Sequence, residues 1–205
     1  MKKKVSDIAA AVLAGGMNSR MAGQNKCFIE IYGKPIISRT VELLGGIFEE
    51  VILATNSPQE YKSYKKTVVM VGDIIKGAGP LSGIHSVLSV AKEEAVFFVA
   101  CDMPFLHNEM IRRQLEYFKT KNCGALVPKV GNFIEPLHAI YKNNLAVDIR
   151  RFVKEGSNYS IRSFLKTVNV CYWHLEENPF HRNIFKNINT EEDARAVRDG
   201  IIYGH

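Results

Sequence analysis

The chain has 205 residues, of which 46% are hydrophobic and 23% are charged, and its formal net charge is +6. This length and composition predict one soluble globular unit and exclude a disordered chain. No apolar run reaches the roughly 18 residues that a membrane helix needs, and no signal-peptide core follows Met1 to Lys4, so we expect a cytoplasmic protein with no membrane partner. Because Lys and Arg are spread along the chain, phosphate-bearing small molecules explain the charge better than nucleic acid.

Four cysteines, Cys27, Cys101, Cys123 and Cys171, lie far apart in the sequence. They form no Cys-x-x-Cys pair and share no metal-ligand spacing with the six histidines. We therefore expect buried free thiols in a reducing compartment.

The first half of the chain alternates buried strands with helical patterns. An apolar run over 8–14 predicts a central strand, 28–31 a short extended piece, and 35–44 a helix that begins with Pro35. Strands are predicted at 51–54, 68–71, 96–100 and from 125, with helices at about 84–92 and 108–119. This alternation predicts an α/β fold, a single Rossmann-like three-layer α/β/α domain with a mostly parallel central sheet.

The second half is less regular. Residues 135–172 mix extended and helical patterns and allow no element to be assigned. Thr190 and Asp193 have the spacing of a helix start, and that last helix is predicted to stop at Gly200.

A glycine-rich segment directly follows the first predicted strand, from Leu13 to Lys26. Gly15 and Gly16 would let backbone amides approach a phosphate closely, and Arg20 and Lys26 could neutralise a triphosphate. The alternative is a tight turn with exposed basic residues. The segment matches neither the Walker loop nor Gly-x-Gly-x-x-Gly, so those two phosphate-binding motifs are excluded.

Acidic and amide side chains follow three other predicted strands. Asp102 comes just after 96–100, where an open parallel sheet places its ligand crevice, and a triphosphate needs a hard cation that carboxylates bind. The alternative for Asp102 is a turn or cap residue. Asp73 and Asn56 follow the third and second strands in the same way, and a loop over 77–83 opens the next helix.

Together these motifs resemble the molybdenum cofactor guanylyltransferases, within the wider group of nucleoside-triphosphate transferases. Leu13 to Lys26 is similar to the family fingerprint Leu-Ala-Gly-Gly-x-x-x-Arg-Met-Gly-x-x-Lys, except that Ala22 stands where the family has glycine and Gly23 comes next. The resemblance continues through 79–83, 101–104, 135–137 and 187–192, and so covers almost the whole chain.

The resemblance implies a magnesium-dependent transfer of GMP from GTP to the phosphate of molybdopterin, which yields molybdopterin guanine dinucleotide and pyrophosphate. It implies one nucleotidyltransferase domain over 1–205, in which about 8–128 binds the nucleotide and about 129–205 binds the acceptor. The implied catalytic residues are Lys26, Arg20 and Asp102, and Asp102 is also the implied ligand of Mg²⁺. The implied protein partners are molybdenum-insertion proteins and molybdoenzyme apoproteins or their chaperones.

The resemblance also assigns binding residues. Those expected to bind the nucleotide are Leu13, Ala14, Gly15, Gly16, Lys26, Asn56, Asp73, Gly79, Pro80, Leu81, Gly83 and Asp102. Those expected to bind the acceptor are Asn187, Asn189 and Arg162, with Arg150 as a further cation. The asparagines could instead cap a helix or turn, and His138 could bind a pterin, although a core histidine is the favoured interpretation.

Two alternatives to this function remain open at the level of sequence. A cytidylyltransferase or sugar-phosphate nucleotidyltransferase would share the fold, but Gly15 in place of the alanine of related cytidylyltransferases favours the larger purine base. A non-catalytic nucleotide-binding escort for the cofactor is the other alternative. It is favoured by two departures from the family pattern, Ala22 in place of glycine and Ala54 in place of an asparagine.

Overall fold

The computed structural model describes residues 3–15, 20–21, 24–156 and 159–198, with the backbone alone at Arg20, Met21 and Gln24. The strands in these ranges are β1 (Ile8–Leu13), β2 (Arg20–Met21), β3 (Gln24–Asn25), β4 (Glu30–Ile31), β5 (Lys34–Pro35), β6 (Val51–Ala54), β7 (Val69–Val71), β8 (Ala95–Ala100), β9 (Ala125–Val130), β10 (Phe133–Ile134), β11 (His138–Lys142) and β12 (Val170–Leu175). The α-helices are α1 (Ile36–Gly45), α2 (Pro80–Val90), α3 (Asn108–Lys119), α4 (Leu145–Glu155), α5 (Ile161–Leu165), α6 (Pro179–Ile184) and α7 (Glu191–Arg198). Short 3₁₀ helices cover Lys26–Phe28 and Pro58–Tyr64.

An eight-stranded sheet organises these elements. Strands β7, β6, β1 and β8 lie side by side in that order, and every pair among them is parallel. Strand β11 pairs antiparallel with both β8 and β9, while β12 pairs parallel with β9 and β10 pairs antiparallel with it. The chain turns from one side of β1 to the other between β7 and β8, which is the switch point where sheets of this type bind ligands.

Both faces of the sheet are covered by helices. Side chains of β1 alternate between the two faces: Ile8, Ala10 and Val12 pack in one core with α1 and α3, and Ala9, Ala11 and Leu13 in the other with α2, α4 and α5. All six side chains of β1 are buried. A strand buried on both faces reads as a continuous apolar run, which explains the sequence of β1. The predicted α/β class, with a mostly parallel central sheet, is confirmed.

Most predicted elements are present, with some changes of boundary. Helix α3 has the predicted bounds, whereas α2 begins at Pro80, ahead of the predicted start, because proline fits the first helical turn. The extended piece predicted over 28–31 was wrong only at Phe28, which ends a 3₁₀ helix, since Ile29 is extended and leads into β4. Thr190 Oγ1 accepts a hydrogen bond from the Asp193 amide and caps α7, as predicted. The predicted end at Gly200 lies outside the described residues.

The expectation of free cysteines was wrong for one pair. Cys27 and Cys101, 74 residues apart, form a disulfide with their Cα atoms 5.3 Å apart, while Cys123 and Cys171 are free thiols. The sequence spacing gave no sign of this pairing, because it arises only when the 3₁₀ helix that follows β3 packs beside the carboxyl end of β8. Within the described residues, no helix has the length and hydrophobicity needed to cross a membrane.

Candidate active site

A cavity of about 680 Å³ opens at the carboxyl ends of β1, β6 and β8. This size is typical of small-molecule sites, and the position is the switch point of the sheet. Residues from seven segments line the cavity: Leu13, Ala14, Gly15, Asn25, Lys26, Ala54, Thr55, Asn56, Ser57, Glu60, Asp73, Gly77, Gly79, Pro80, Ser82, Gly83, Ala100, Cys101, Asp102, Leu137 and Asn187.

Tyr61 joins the stretches on either side of the glycine-rich segment. Its hydroxyl donates to the carbonyl oxygen of Ala14 at 3.4 Å and accepts from Asn25 Nδ2 at 2.9 Å. The Asn25 side chain also caps the 3₁₀ helix by accepting from the amide of Cys27 at 3.1 Å. Because Tyr61 is fully buried, these bonds fix where the segment leaves β1 and where it returns.

Lys26 meets residues from the middle and the end of the chain. Its side chain is buried, with Nζ 3.3 Å from Asn189 Oδ1, and its charge acts on Asp102. The amide of Ile188 donates to the carbonyl oxygen of Asp102 at 2.9 Å, which holds Asn187 and Asn189 beside that residue. Three of the predicted site residues, Lys26, Asp102 and Asn189, are therefore brought together from sequence positions up to 163 residues apart.

The buried carboxyl of Asp102 is set up to take a ligand. Burial raises the pKa of Asp102, while the charge of Lys26 and a backbone hydrogen bond act against that rise. Asp102 Oδ1 and Asn187 Oδ1 are buried, and among the described residues neither atom has a hydrogen-bond partner. Unpartnered buried oxygens are costly unless a ligand satisfies them.

These two oxygens fit a magnesium ion. Mg²⁺ prefers oxygen ligands and is commonly held by one or two carboxylates together with substrate phosphates and water. The described residues contain no group of three or more His, Cys, Asp or Glu side chains that would form an all-protein metal cage. The donor set at Asp102 thus suits a metal that arrives with a phosphate substrate.

Asn56 and Asp73, which were predicted separately, are hydrogen-bonded to each other. Asn56 Nδ2 donates to Asp73 Oδ2 at 2.7 Å, and the amide of Asp73 donates to Asn56 Oδ1 at 2.9 Å. The loop that follows Asp73 is tied to α2, because Ser86 Oγ accepts from the amide of Ile74 and Ser82 Oγ accepts from the amide of Ala78. One wall of the cavity is thereby fixed against α2, which begins at Pro80.

Arg162 lies beyond the residues that line the cavity, on a surface next to Glu135. Its guanidinium donates to the carbonyl oxygen of Ile134 at 2.9 Å and lies 6.0 Å from the ring centroid of Phe133. Burial raises the pKa of Glu135 to about 7, the Leu137 amide and Arg162 oppose that rise, and Asp102 adds to it. Glu135 therefore interacts electrostatically with both Asp102 and Arg162.

Two other candidates lie away from the cavity. His138 is fully buried between Phe97 and Phe185, with Nδ1 3.1 Å from Gln114 Oε1, so it is the core histidine that was favoured. Arg150 on α4 acts on His85 of α2, whose pKa is lowered first by burial and then by this charge.

The remaining predicted residues divide into three groups. Leu13, Ala14, Gly15, Gly79, Pro80 and Gly83 line the cavity, whereas the side chain of Leu81 packs in the core between the sheet and α2. Gly16, Ala22, Gly23 and the side chain of Arg20 lie outside the described residues.

Sequence reasoning missed several residues at the site, chiefly Asn25, Thr55, Tyr61, Cys101 and Glu135. Thr55 and Cys101 were within reach, since each is adjacent to a predicted residue at a strand end. Glu135 stood in a recognised motif without an assigned role. No sequence signal marked Tyr61, because its hydroxyl reaches Ala14 across 47 residues of sequence.

Comparison with known proteins places this site in a class. The family model for the MobA-like NTP transferase domain matches residues 10–172. A crystal structure of molybdopterin-guanine dinucleotide biosynthesis protein A from Archaeoglobus fulgidus is similar to this chain, with a TM-score of 0.78 and 25% identity over 94% of this chain and 98% of that one. The chain is a nucleotidyltransferase.

Curated relatives narrow the class further. A probable molybdenum cofactor guanylyltransferase from Peptoclostridium acidaminophilum is 37% identical over 91% of this chain and 86% of its own length. A molybdenum cofactor guanylyltransferase from Syntrophotalea carbinolica is 32% identical over 93% of this chain and 90% of its own length. The chain belongs to the molybdenum cofactor guanylyltransferase family, as the sequence motifs predicted.

Proposed function

We propose that this protein transfers GMP from GTP to the terminal phosphate of molybdopterin and releases pyrophosphate. The observation that carries the proposal is the meeting of Lys26, Asp102 and Asn187 around one cavity at the switch point of the sheet. The acceptor phosphate is an anion and can attack the α-phosphorus of GTP without a general base. The protein's contribution is then positioning and charge stabilisation.

The nucleotide is assigned to the cavity between β1 and α2. Helix α2 points its first turn at the cavity through Gly79 and Pro80, so its positive dipole end and free amides favour the phosphates of GTP. Lys26, which lines the same cavity, supplies a buried positive charge, and Arg20 is proposed as a second. Asn56 and Asp73 form a hydrogen-bonded wall for the ribose or base.

The glycine at position 15 is explained by close approach of the nucleotide and not by a requirement of the fold. A Cβ atom built at Gly15 would come no nearer than 3.9 Å to the protein atoms around it, and the residue has no positive φ. The backbone would therefore tolerate alanine, whereas the added methyl would project into the cavity that Gly15 lines. The absence of a side chain is explained by the space that a purine nucleotide needs.

Asp102 is the proposed ligand of Mg²⁺, with Asn187 Oδ1 as the neighbouring neutral donor. When bound, the ion would offset negative charge on the phosphate oxygens of the substrate. Asp102 holds this position through its carbonyl oxygen, which accepts from the amide of Ile188. Lys26 balances the buried carboxylate in the absence of substrate.

The acceptor is assigned to the surface that runs from Asn187 and Asn189 towards Arg162. Asn189 already contacts Lys26, so an acceptor phosphate bound there would lie next to the reacting end of GTP. Arg162 would bind a further anionic group of molybdopterin as a fork of hydrogen-bond donors. This surface comes from the second half of the chain, which matches the proposed division into 8–128 for the nucleotide and 129–205 for the acceptor.

One assay tests the proposal. The purified chain is incubated with molybdopterin, Mg²⁺ and each of the four nucleoside triphosphates in turn, and products are identified by mass. We expect molybdopterin guanine dinucleotide and pyrophosphate from GTP alone, and no product after removal of Mg²⁺ with a chelator. A cytosine dinucleotide, or transfer to a sugar 1-phosphate, would reassign the enzyme, and GTP binding without any turnover would favour the escort function.

A further inference from the structure

The disulfide between Cys27 and Cys101 joins the residues next to two proposed catalytic groups, Lys26 and Asp102. Cys27 follows Lys26 in the 3₁₀ helix, and Cys101 precedes Asp102 at the end of β8. The bond holds the two Cα atoms 5.3 Å apart although the residues are separated by 74 positions in the sequence. It is therefore a covalent link between the two segments that carry Lys26 and Asp102.

The two cysteines differ in their position relative to the cavity. Cys101 lines the cavity and keeps 5% of its surface exposed, whereas Cys27 is fully buried in the core beside α1. A small thiol or disulfide that enters the cavity can reach Cys101 first. Cys27 is then placed to attack from within, as a resolving cysteine does.

A second pair of cysteines in the same chain is not joined by a disulfide. Cys123 and Cys171 interact through a hydrogen bond between their side chains, yet both are free thiols. Burial, with the contribution of Cys171, raises the pKa of Cys123 to about 11, which keeps that thiol protonated and unreactive. The chain thus contains one joined pair at the cavity and one unjoined pair remote from it.

We propose that Cys27 and Cys101 are a reversible thiol–disulfide pair, and that the bond holds Lys26 and Asp102 in the arrangement that binds the nucleotide. The disulfide form is the one in which Lys26 Nζ lies 3.3 Å from Asn189 Oδ1 and the charge of Lys26 acts on Asp102. Reduction separates the sulfurs from bonding distance to the wider contact distance of two thiols. The segments that carry Lys26 and Asp102 then lose their fixed spacing, and the two charged groups are no longer held at the distance that binds the nucleotide.

The exchange is balanced with a small disulfide such as glutathione disulfide. The sulfur of Cys101 attacks one sulfur of that molecule and releases one glutathione thiol, which leaves a mixed disulfide on Cys101. The sulfur of Cys27 then attacks Cys101, forms the internal bond and releases the second glutathione thiol. Two electrons pass from the cysteine pair to glutathione disulfide, and the two thiol protons end on the released thiols.

Nucleotide binding and the redox state of the pair are coupled in this arrangement, a step that rests on the proposed binding of GTP in the cavity. GTP would cover Cys101 and slow its reduction. If the disulfide form binds GTP about tenfold more tightly, saturating GTP must raise by the same factor the value of [GSH]²/[GSSG] at which half of the pair is reduced. A bond that only stabilised the fold would change stability without moving this midpoint.

The test uses the full chain equilibrated in glutathione buffers, with and without GTP. Rapid alkylation and peptide mass spectrometry give the fraction of Cys27–Cys101 disulfide, and a fluorescent GTP analogue gives Kd for the fully oxidised and fully reduced protein. We expect a single reversible transition, about tenfold weaker binding after reduction, and a midpoint that GTP shifts. Two free thiols at every ratio, or equal Kd values in the two states, would overturn the proposal.

Variants separate this inference from the proposed function. Cys27→Ser should bind the analogue like the reduced protein in any buffer, while Cys171→Ser, the matched control, should keep the redox response. The wild-type comparison needs no variant, so a folding defect in Cys27→Ser leaves the test intact. If the redox-dependent Kd is found but molybdopterin is not a substrate, the proposed acceptor fails and this inference stands.

Discussion

Lys26 is a buried positive charge that contacts Asn189 and acts on Asp102. Removing a preorganised charge that stabilises a transition state costs on the order of 3 kcal/mol, which is at least a hundredfold in rate. We therefore expect Lys26→Ala to lower kcat for guanylyl transfer at least a hundredfold. Lys34→Ala is the matched control, because Lys34 forms an exposed ion pair with Glu42 outside the cavity and should leave kcat unchanged.

Substitution of Gly15 should change ligand affinity without lowering the stability of the fold. Gly15→Ala meets no protein atom within 3.9 Å, so the melting temperature should stay within about a degree of the wild type or rise slightly. The added methyl lines the cavity, and a misplaced methyl group in a ligand site costs roughly 1–3 kcal/mol. We expect Kd for GTP, measured by calorimetry, to rise about tenfold or more. Unchanged GTP affinity would move the nucleotide away from β1.

The burial of His138 predicts that the free energy of unfolding depends on pH. Burial lowers the pKa of His138 from 6.5 to about 4, so the folded state favours the neutral ring. The stability this contributes is complete above pH 6.5 and is lost as the pH falls towards 4, by about 3 kcal/mol in all. Urea unfolding at a series of pH values measures the loss, and His138→Gln should flatten the curve in this window. A variant that keeps the full wild-type slope would contradict the assignment.

At the scale of elements, the start of α2 depends on the backbone of Gly79. The backbone of this residue has φ 57° and ψ −137°, and residues other than glycine adopt such angles only at a cost of about 1–3 kcal/mol. Gly79→Ala should lower the free energy of unfolding by that amount, and it should weaken GTP binding because α2 turns its first residues to the cavity. Gly45→Ala is the control, since Gly45 lies in α1 with open space around it and no positive φ. It should be neutral or slightly stabilising.

The elements that could be predicted are those whose environment is uniform along the chain. Strands β1, β6 and β8 are buried over their whole length, and α3 has one apolar face, so composition and period identify them. The first half of the site follows from them, because glycine and acidic residues at strand ends meet at one edge of a parallel sheet.

The rest of the site could not be predicted because it depends on contacts between distant segments. Two hydrogen bonds show this: the hydroxyl of Tyr61 donates to the carbonyl oxygen of Ala14, and the amide of Ile188 donates to the carbonyl oxygen of Asp102. No local sequence pattern indicates either pairing. Strand β10 has only two residues, β12 is only partly buried, and β11 pairs antiparallel with both of its neighbours, so the patterns of these strands resembled neither a helix nor a parallel strand. The disulfide belongs to the same group.

At the scale of the whole molecule, that disulfide closes a loop across 74 residues, which include β4 to β8, α1 and α2. A link of this length limits the unfolded chain and stabilises the folded state by about 4 kcal/mol on a chain-entropy argument. We expect dithiothreitol to lower the unfolding free energy measured in urea by about 2–4 kcal/mol. The same reagent should have no effect on Cys27→Ser, and an equal loss in that variant would show that the reagent acts elsewhere.

Because β11 lies between β8 and β9, the sheet cannot be completed until β11 has been synthesised. The Rossmann-like part, from β1 to β8, leaves the ribosome first, but the outer edge of β8 is apolar and stays unpaired until His138 to Lys142 has followed. An unpaired apolar edge is a template for aggregation. The nascent part from β1 to β8 is thus exposed to intermolecular strand pairing at β8, and a pause in translation between β8 and β11 should increase the yield of insoluble chains.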